Sequence, residues 1–196
     1  SIATDYPGEY GTVLADLEEQ LERAAEHDLY AEAFAEADVD PTDLGSWADF
    51  QSIPFTESGD LKADFDAHGP EGSLYTEGAM ISFSPLGDDL APMFDTRADL
   101  DYEAEVNADL FEAAGIEPGD RVLNTFGYHL FGTGILLQRG LEELGAEVFP
   151  VGPGDSEQAA GFISRYDIDV LVGNPSFALK IAEAGGSVDT FVGGGE

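Results

Sequence analysis

The spacing of apolar positions changes partway along the chain. Near the start, Leu14, Leu17, Leu21 and Ala24 recur at three- and four-residue intervals, with Asp16, Glu18, Glu19 and Glu22 on the other face. That is the period of an amphipathic helix, and it predicts helix from Tyr10 to Ala37 with a break near His27 and Asp28. The second piece sets Tyr30, Ala33, Phe34 and Ala37 on one side. Proline and two Asx residues make a turn of Val39 to Leu44. A small helix then buries Trp47 and Phe50, and Ile53-Pro54-Phe55-Thr56 is an extended link whose Thr56 caps a helix through Phe65. Asp66 to Gly78, with Gly69, Pro70, Gly72 and Gly78, reads as a loop. It separates a helical amino-terminal region, residues 1–66, from a second region, residues 79–196.

In that second region the period shortens. Ala79 to Ser84 and Leu90 to Phe94 are strands around a hairpin turn at Pro85-Leu86-Gly87-Asp88-Asp89. Thr96 and Asp99 make a capping box for a helix to about Ala114, which Gly115 stops. Glu117 to Asp120 is a turn that delivers a strand at Arg121. Further strand-length apolar runs follow at Ala146 to Val151, Asp169 to Val172 and Val188 to Val192, alternating with helical stretches at Leu130 to Leu144, Ser156 to Tyr166 and Pro175 to Ala184. Strand alternating with helix implies parallel βαβ units. The expected class is α/β: a mainly parallel sheet with crossover helices, preceded by the helical region and the short β-hairpin. Its core should include Val122, Leu123, Val148, Phe149, Val170, Leu171 and Phe191. Ligands of such sheets bind beyond the carboxyl ends of the strands, which singles out Thr125 to His129.

Charge changes the picture most. Against 41 Asp and Glu stand 7 Lys and Arg, a formal net charge of -34, and the carboxylates are spread over nearly every helix surface. Self-repulsion on that scale is relieved when molar salt shortens the screening length to about 3 Å, so an extreme halophile is the expected source. No basic stripe is available to neutralise phosphates, which excludes nucleic acid and anionic membranes as expected partners. With no cysteine there are no disulfides or thiolate ligands. No apolar run reaches the roughly 20 residues of a membrane span and no secretory signal opens the chain, so a cytoplasmic protein is expected.

Generic motifs fail at the central stretch Arg121 to Gly134. Gly127 to Gly132 has P-loop spacing, but Thr133-Gly134 stands where Lys-Ser/Thr is required. Gly132-Thr133-Gly134 lacks the third glycine of a dinucleotide fingerprint. There is no G-x-S-x-G elbow, and His27, His68 and His129 have no metal-ligand spacing, so no metal site is expected. His129, at a strand-to-helix junction, reads either as a packed or capping residue or as a functional one.

The motifs from Ile53 onward, in order, are I-P-F-T-E-S-G-D-L-K at Ile53 to Lys62, A-A-G-I-E-P-G-D-R-V at Ala113 to Val122, F-G-Y-H-L-F-G-T-G at Phe126 to Gly134, L-G-A-E-V-F-P-V at Leu144 to Val151, Asn174-Pro175-Ser176-Phe177 and G-G-G-E at Gly193 to Glu196. The order resembles the amino-terminal half of a phenylacetate-coenzyme A ligase, a branch of the adenylate-forming, AMP-binding enzymes. The resemblance implies adenylation of a small carboxylic acid by ATP with Mg, then transfer of the acyl group to coenzyme A, and it leaves a homodimer open. It places Tyr128, His129, Phe131 and Gly132 in an acid slot, and Ser82, Ser84, Gly87, Gly194, Gly195 and Glu196 at the nucleotide. No residue is assigned a catalytic role.

Two departures open alternatives. Where the family has a phosphate loop rich in Ser, Thr and Gly, this chain has Ser82 to Leu90 with Asp88 and Asp89, and a carboxylate beside a triphosphate is repulsive without an intervening cation. The family also continues past the position of Glu196 into more sheet and a mobile domain that supplies a lysine, so the chain alone is expected to be inactive. The alternatives are a non-catalytic acid- or nucleotide-binding relative with a degenerate phosphate loop, and an adenylate-forming enzyme that hands its acyl group to a protein or amine.

Overall fold

The computed structural model describes residues 11–42 and 47–195. The chain divides into two compact units, Ser1–Tyr75 and Thr76–Glu196. In the first, the described residues form four helices: α1 (Gly11–Ala24), α2 (Asp28–Ala37), α3 (Trp47–Ser52) and α4 (Ser58–His68). Leu17, Leu21, Val39, Trp47 and Phe50 pack together half-buried, and Phe34 is the buried apolar residue of α2. The break foreseen near His27 is present, with His27 as the residue before α2 and its Nδ1 2.9 Å from the Ser73 carbonyl oxygen. The Leu14 side chain is not described, and Asp43 and Leu44 lie outside the described residues.

Two details of this unit differ from the sequence reading. Glu57, not Thr56, precedes the first turn of α4, because the Asp60 carboxylate reaches back to accept from the Glu57 N–H at 2.8 Å. The helix also runs on to His68 rather than stopping at Phe65. That extra turn carries chemistry: His68 sits 3.0 Å from buried Asp64 through Nδ1 and 3.0 Å from Asp28 through Nε2. Asp64 in turn accepts from the Ser73 N–H at 2.7 Å.

The second unit opens with an antiparallel pair, β1 (Met80–Leu86) and β2 (Asp89–Asp95), in register from Met80 opposite Asp95 to Leu86 opposite Asp89. The strands are longer than foreseen and the turn is only Gly87-Asp88, with Gly87 at φ 64°. Pro85 therefore lies within β1, where a two-stranded sheet tolerates a residue without an N–H. The Thr96–Asp99 capping box closes as foreseen, the Asp99 carboxylate accepting from the Thr96 N–H at 2.8 Å and Thr96 Oγ1 from the Asp99 N–H at 3.2 Å. It starts α5 (Arg97–Ala113).

The βαβ units follow: β3 (Arg121–Asn124), α6 (Thr133–Leu144), β4 (Glu147–Pro150), α7 (Ser156–Tyr166), β5 (Val170–Gly173), α8 (Pro175–Glu183) and β6 (Thr190–Gly193). Their strands form one wholly parallel sheet in the order β4-β3-β5-β6. Side-chain alternation along the strands builds two cores. Val122, Val170 and Val172 face Phe111, Ile116 and Leu141, while Leu123 and Leu171 face Ala159, Ile163, Ile168 and Ile181. Each such buried aliphatic side chain contributes about 1.5–3 kcal/mol. Val148 and Phe149 are only partly buried, since β4 is an edge strand. Phe191, expected in the core, is 43% exposed for the same reason: among the described residues β6 pairs with β5 alone. The helix expected from Leu130 begins at Thr133, because Gly132 at φ 68° turns the chain first.

Candidate functional site at the switch point of the sheet

From β3 the chain crosses to β4 on one side, and from β5 it crosses to β6 on the other. The two neighbouring strands thus send their connections apart, and the crevice between their carboxyl ends is where open α/β sheets bind ligands. The loop Thr125 to Gly132 leaves β3 there, and Asn174 leaves β5.

Asn124, the last residue of β3, is 0% exposed and organises that loop. Its Oδ1 accepts from the Phe126 N–H at 3.1 Å, and its Nδ2 donates to the Gly134 carbonyl at 3.0 Å and to Tyr128 Oη at 2.8 Å. Its own carbonyl accepts from the Val151 and Gly152 N–H groups, fixing the exit of β4 to the same point. Buried Thr125 donates through Oγ1 to the Val172 carbonyl at 3.0 Å. A Cβ on Gly173 would fall 1.9 Å from that Oγ1, so β5 approaches the loop as closely as glycine permits. Gly134 has a similar role: a Cβ there would meet the Gly127 carbonyl oxygen at 2.7 Å and that of Phe126 at 2.8 Å.

Tyr128 is half-buried, and burial pushes its phenol up to about 12; the Asn124 hydrogen bond pulls the other way and the Glu142 carboxylate adds to the rise. It is a neutral hydroxyl at any physiological pH. His129 and Phe131 are exposed and meet edge to face with ring centroids 6.0 Å apart. Gly132 is buried, and a Cβ on it would lie 3.1 Å from the Ser82 Cβ. The Phe83 N–H donates to the Leu130 carbonyl at 2.9 Å, so β1 is stitched to this loop.

The structure thus brings Ser82 beside Gly132 and, in the same loop, Tyr128, His129 and Phe131. Ser84 and Gly87 are exposed farther along the hairpin; Gly87 is five residues from Ser82, about 16 Å of extended strand. Gly194 and Gly195 form a separate cluster after β6, where Asn174 Nδ2 donates to the Gly194 carbonyl at 3.1 Å and to the Gly195 carbonyl at 2.6 Å. Glu196 lies outside the described residues. Asn124 and Asn174 were missed as site residues, although an asparagine ending an apolar strand run, as in R-V-L-N and V-L-V-G-N, was the available signal.

The fold is similar to that of adenylate-forming enzymes. A crystal structure of 2-hydroxyisobutyryl-CoA ligase in an open conformation, in complex with 2-HIB-AMP and CoA, superposes with a TM-score of 0.79 at 25% identity, covering 88% of this chain and 39% of that one. The same ligase in its postadenylation state with 2-HIB-AMP gives 0.79. The sequence is 31% identical over 159 residues to the phenylacetate-coenzyme A ligase of Pseudomonas putida and 34% over 160 residues to that of Thermus thermophilus, each match covering 79% of this chain and 35% of the relative. Over 79% of its length the chain is similar to these curated phenylacetate-coenzyme A ligases, and it spans about a third of their length. No protein-family model matches it. Among the described residues no helix is long and apolar enough to cross a membrane.

Proposed function

We propose that this chain is part of an acyl- or aryl-coenzyme A ligase that activates a small carboxylic acid as its adenylate and passes the acyl group to coenzyme A. The single observation that carries the reading is the joint match of the chain, in sequence over 159 residues to named phenylacetate-coenzyme A ligases and in fold to a ligase seen with an acyl-adenylate and CoA. In the first step a carboxylate oxygen attacks the α-phosphorus of ATP and pyrophosphate leaves. In the second the sulfur of coenzyme A attacks the acyl carbon and AMP leaves.

In this reading Tyr128, His129, Phe131 and Gly132 line the acid slot. Tyr128 is held by Asn124, and the aromatic edge of Phe131 against His129 offers an apolar wall. Gly194 and Gly195, pinned by Asn174, present backbone to the nucleotide, while Ser82 reaches it from the hairpin and Ser84 and Gly87 from farther along. Among the described residues no group of three or more His, Asp or Glu stands ready to hold a metal; Mg would arrive with ATP as its counter-ion. Asp88 and Asp89 at the hairpin end favour a second reading, a binding protein that does not adenylate.

Pyrophosphate release by the full gene product, assayed with ATP and a panel of aryl and fatty acids at molar KCl, tests the proposal. Release that depends on one acid class supports it, and binding of an acid without release selects the second reading. The 196-residue segment alone should show no release above background. A cytoplasmic protein of an extreme halophile is the setting that the net charge of -34 supports.

A further inference from the structure

The hydroxyl of Tyr128 has one hydrogen-bond partner among the described residues, and that partner occupies its acceptor side. Asn124 Nδ2 donates to Oη at 2.8 Å. The amide cannot be turned the other way round, because Oδ1 is held by the Phe126 N–H and Nδ2 also donates to the Gly134 carbonyl. An amide NH₂ accepts nothing. The Tyr128 proton therefore points away from Asn124, and no described residue accepts it. A half-buried donor left open in this way calls for an acceptor from a ligand or from water.

Its place in the sheet says which part of a ligand it meets. The Tyr128 ring packs toward Gly152, just after β4, with Cδ2 3.8 Å from where a Cβ on that glycine would stand. Gly194 and Gly195 follow β6 at the opposite edge of the order β4-β3-β5-β6. Three strand spacings separate those edges, about 14 Å. An acid whose carboxylate faces the nucleotide on the β6 side turns its far end toward Tyr128.

We propose that Tyr128 determines specificity by donating a hydrogen bond to an acceptor on the far part of the acid, so that the favoured substrates are carboxylic acids bearing an oxygen or ring nitrogen distal to the carboxylate. The proposal rests on the ligase reading and names its substrate class. An acid lacking the acceptor leaves the phenol proton unpaired as water is displaced, which is the physical source of the discrimination.

Phenylacetate and the three pyridylacetates are matched in shape and differ by one ring acceptor. The full gene product and its Tyr128→Phe variant are compared by pyrophosphate release above neutral pH, where the pyridine nitrogen is unprotonated. The wild type should favour one pyridylacetate over phenylacetate by about tenfold in kcat/KM. Tyr128→Phe should abolish that preference, so that within the variant the pyridylacetate and phenylacetate values of kcat/KM become equal, with the melting temperature nearly unchanged. A wild type indifferent to all four acids overturns the proposal, as does a variant that loses all of them equally. If the wild type releases no pyrophosphate with any acid, the ligase reading falls by itself. Calorimetric titration of the same four acids then decides the inference, and equal affinities sink it.

Discussion

Replacing Asn124 with Ala removes three hydrogen bonds at the root of the switch-point loop, and the structure says how much that should cost. The Phe126 N–H and the Gly134 carbonyl lose a fully buried partner, whereas Tyr128, half-buried, recovers one from water. An unpaired buried group costs about 1–3 kcal/mol, and the void left by the amide adds roughly 1 kcal/mol. The expected loss is about 3–5 kcal/mol, a large part of the 5–15 kcal/mol typical of a folded domain. For a chain of this size that corresponds to a fall of about 10 °C in Tm. Urea titration at fixed molar KCl, followed by circular dichroism, measures it as a shift in midpoint at constant slope. Asn124→Asp is the control: it keeps the acceptor for Phe126 but aims a buried carboxylate at the Gly134 carbonyl, and it should cost at least as much. Losses under about 1 kcal/mol in both variants would refute the claim that Asn124 holds the loop.

Gly134→Ala should cost about 1–3 kcal/mol by overpacking, because its new methyl would press on the carbonyl oxygens of Phe126 and Gly127; an unchanged urea midpoint would show that the loop yields. In the first unit, burial opposes charge on His68, but the Asp64 carbonyl and the carboxylates of Asp28 and Asp64 outweigh it and raise its pKa above 6.5. That stabilisation is complete below pH 6.5, the unfolded value, and is lost as pH rises through the raised folded value. Thermal melts across that window should fall with pH for the wild type and flatten for His68→Gln. The melting temperature should climb from low salt to molar KCl as screening relieves the net charge of -34, and a flat response would contradict a halophilic origin.

The parallel sheet was legible because Val122-Leu123 and Val170-Leu171-Val172 are short runs of branched apolar residues spaced by helical segments, a pattern few other folds produce. What escaped was decided by single hydrogen bonds and single backbone angles. Leu130 and Phe131 look like the first turn of a helix, but Gly132 adopts a positive φ and the helix waits for Thr133. Thr56 looks like a cap, yet Asp60 closes on Glu57 instead. Phe191 has the apolarity of a core residue, and only the strand order reveals that it stands at an edge. Resemblance singled out Tyr128, His129, Phe131 and Gly132, which share one loop, while Asn124 and Asn174 act through amides whose partners are distant in sequence or in the loop's own backbone.

The loop after β3 alternates residues that cannot change with residues that can. Gly132 sits in a left-handed backbone well, and Gly134 has two carbonyls against it. His129 and Phe131, just before them, have exposed side chains. Drift at positions 129 and 131 therefore carries little stability penalty for selection to repair, and if the proposed acid slot is right it reshapes what the crevice accepts. The loop works as a fixed frame with two interchangeable inserts, and a library randomised at those two positions should stay folded while its acid preference spreads.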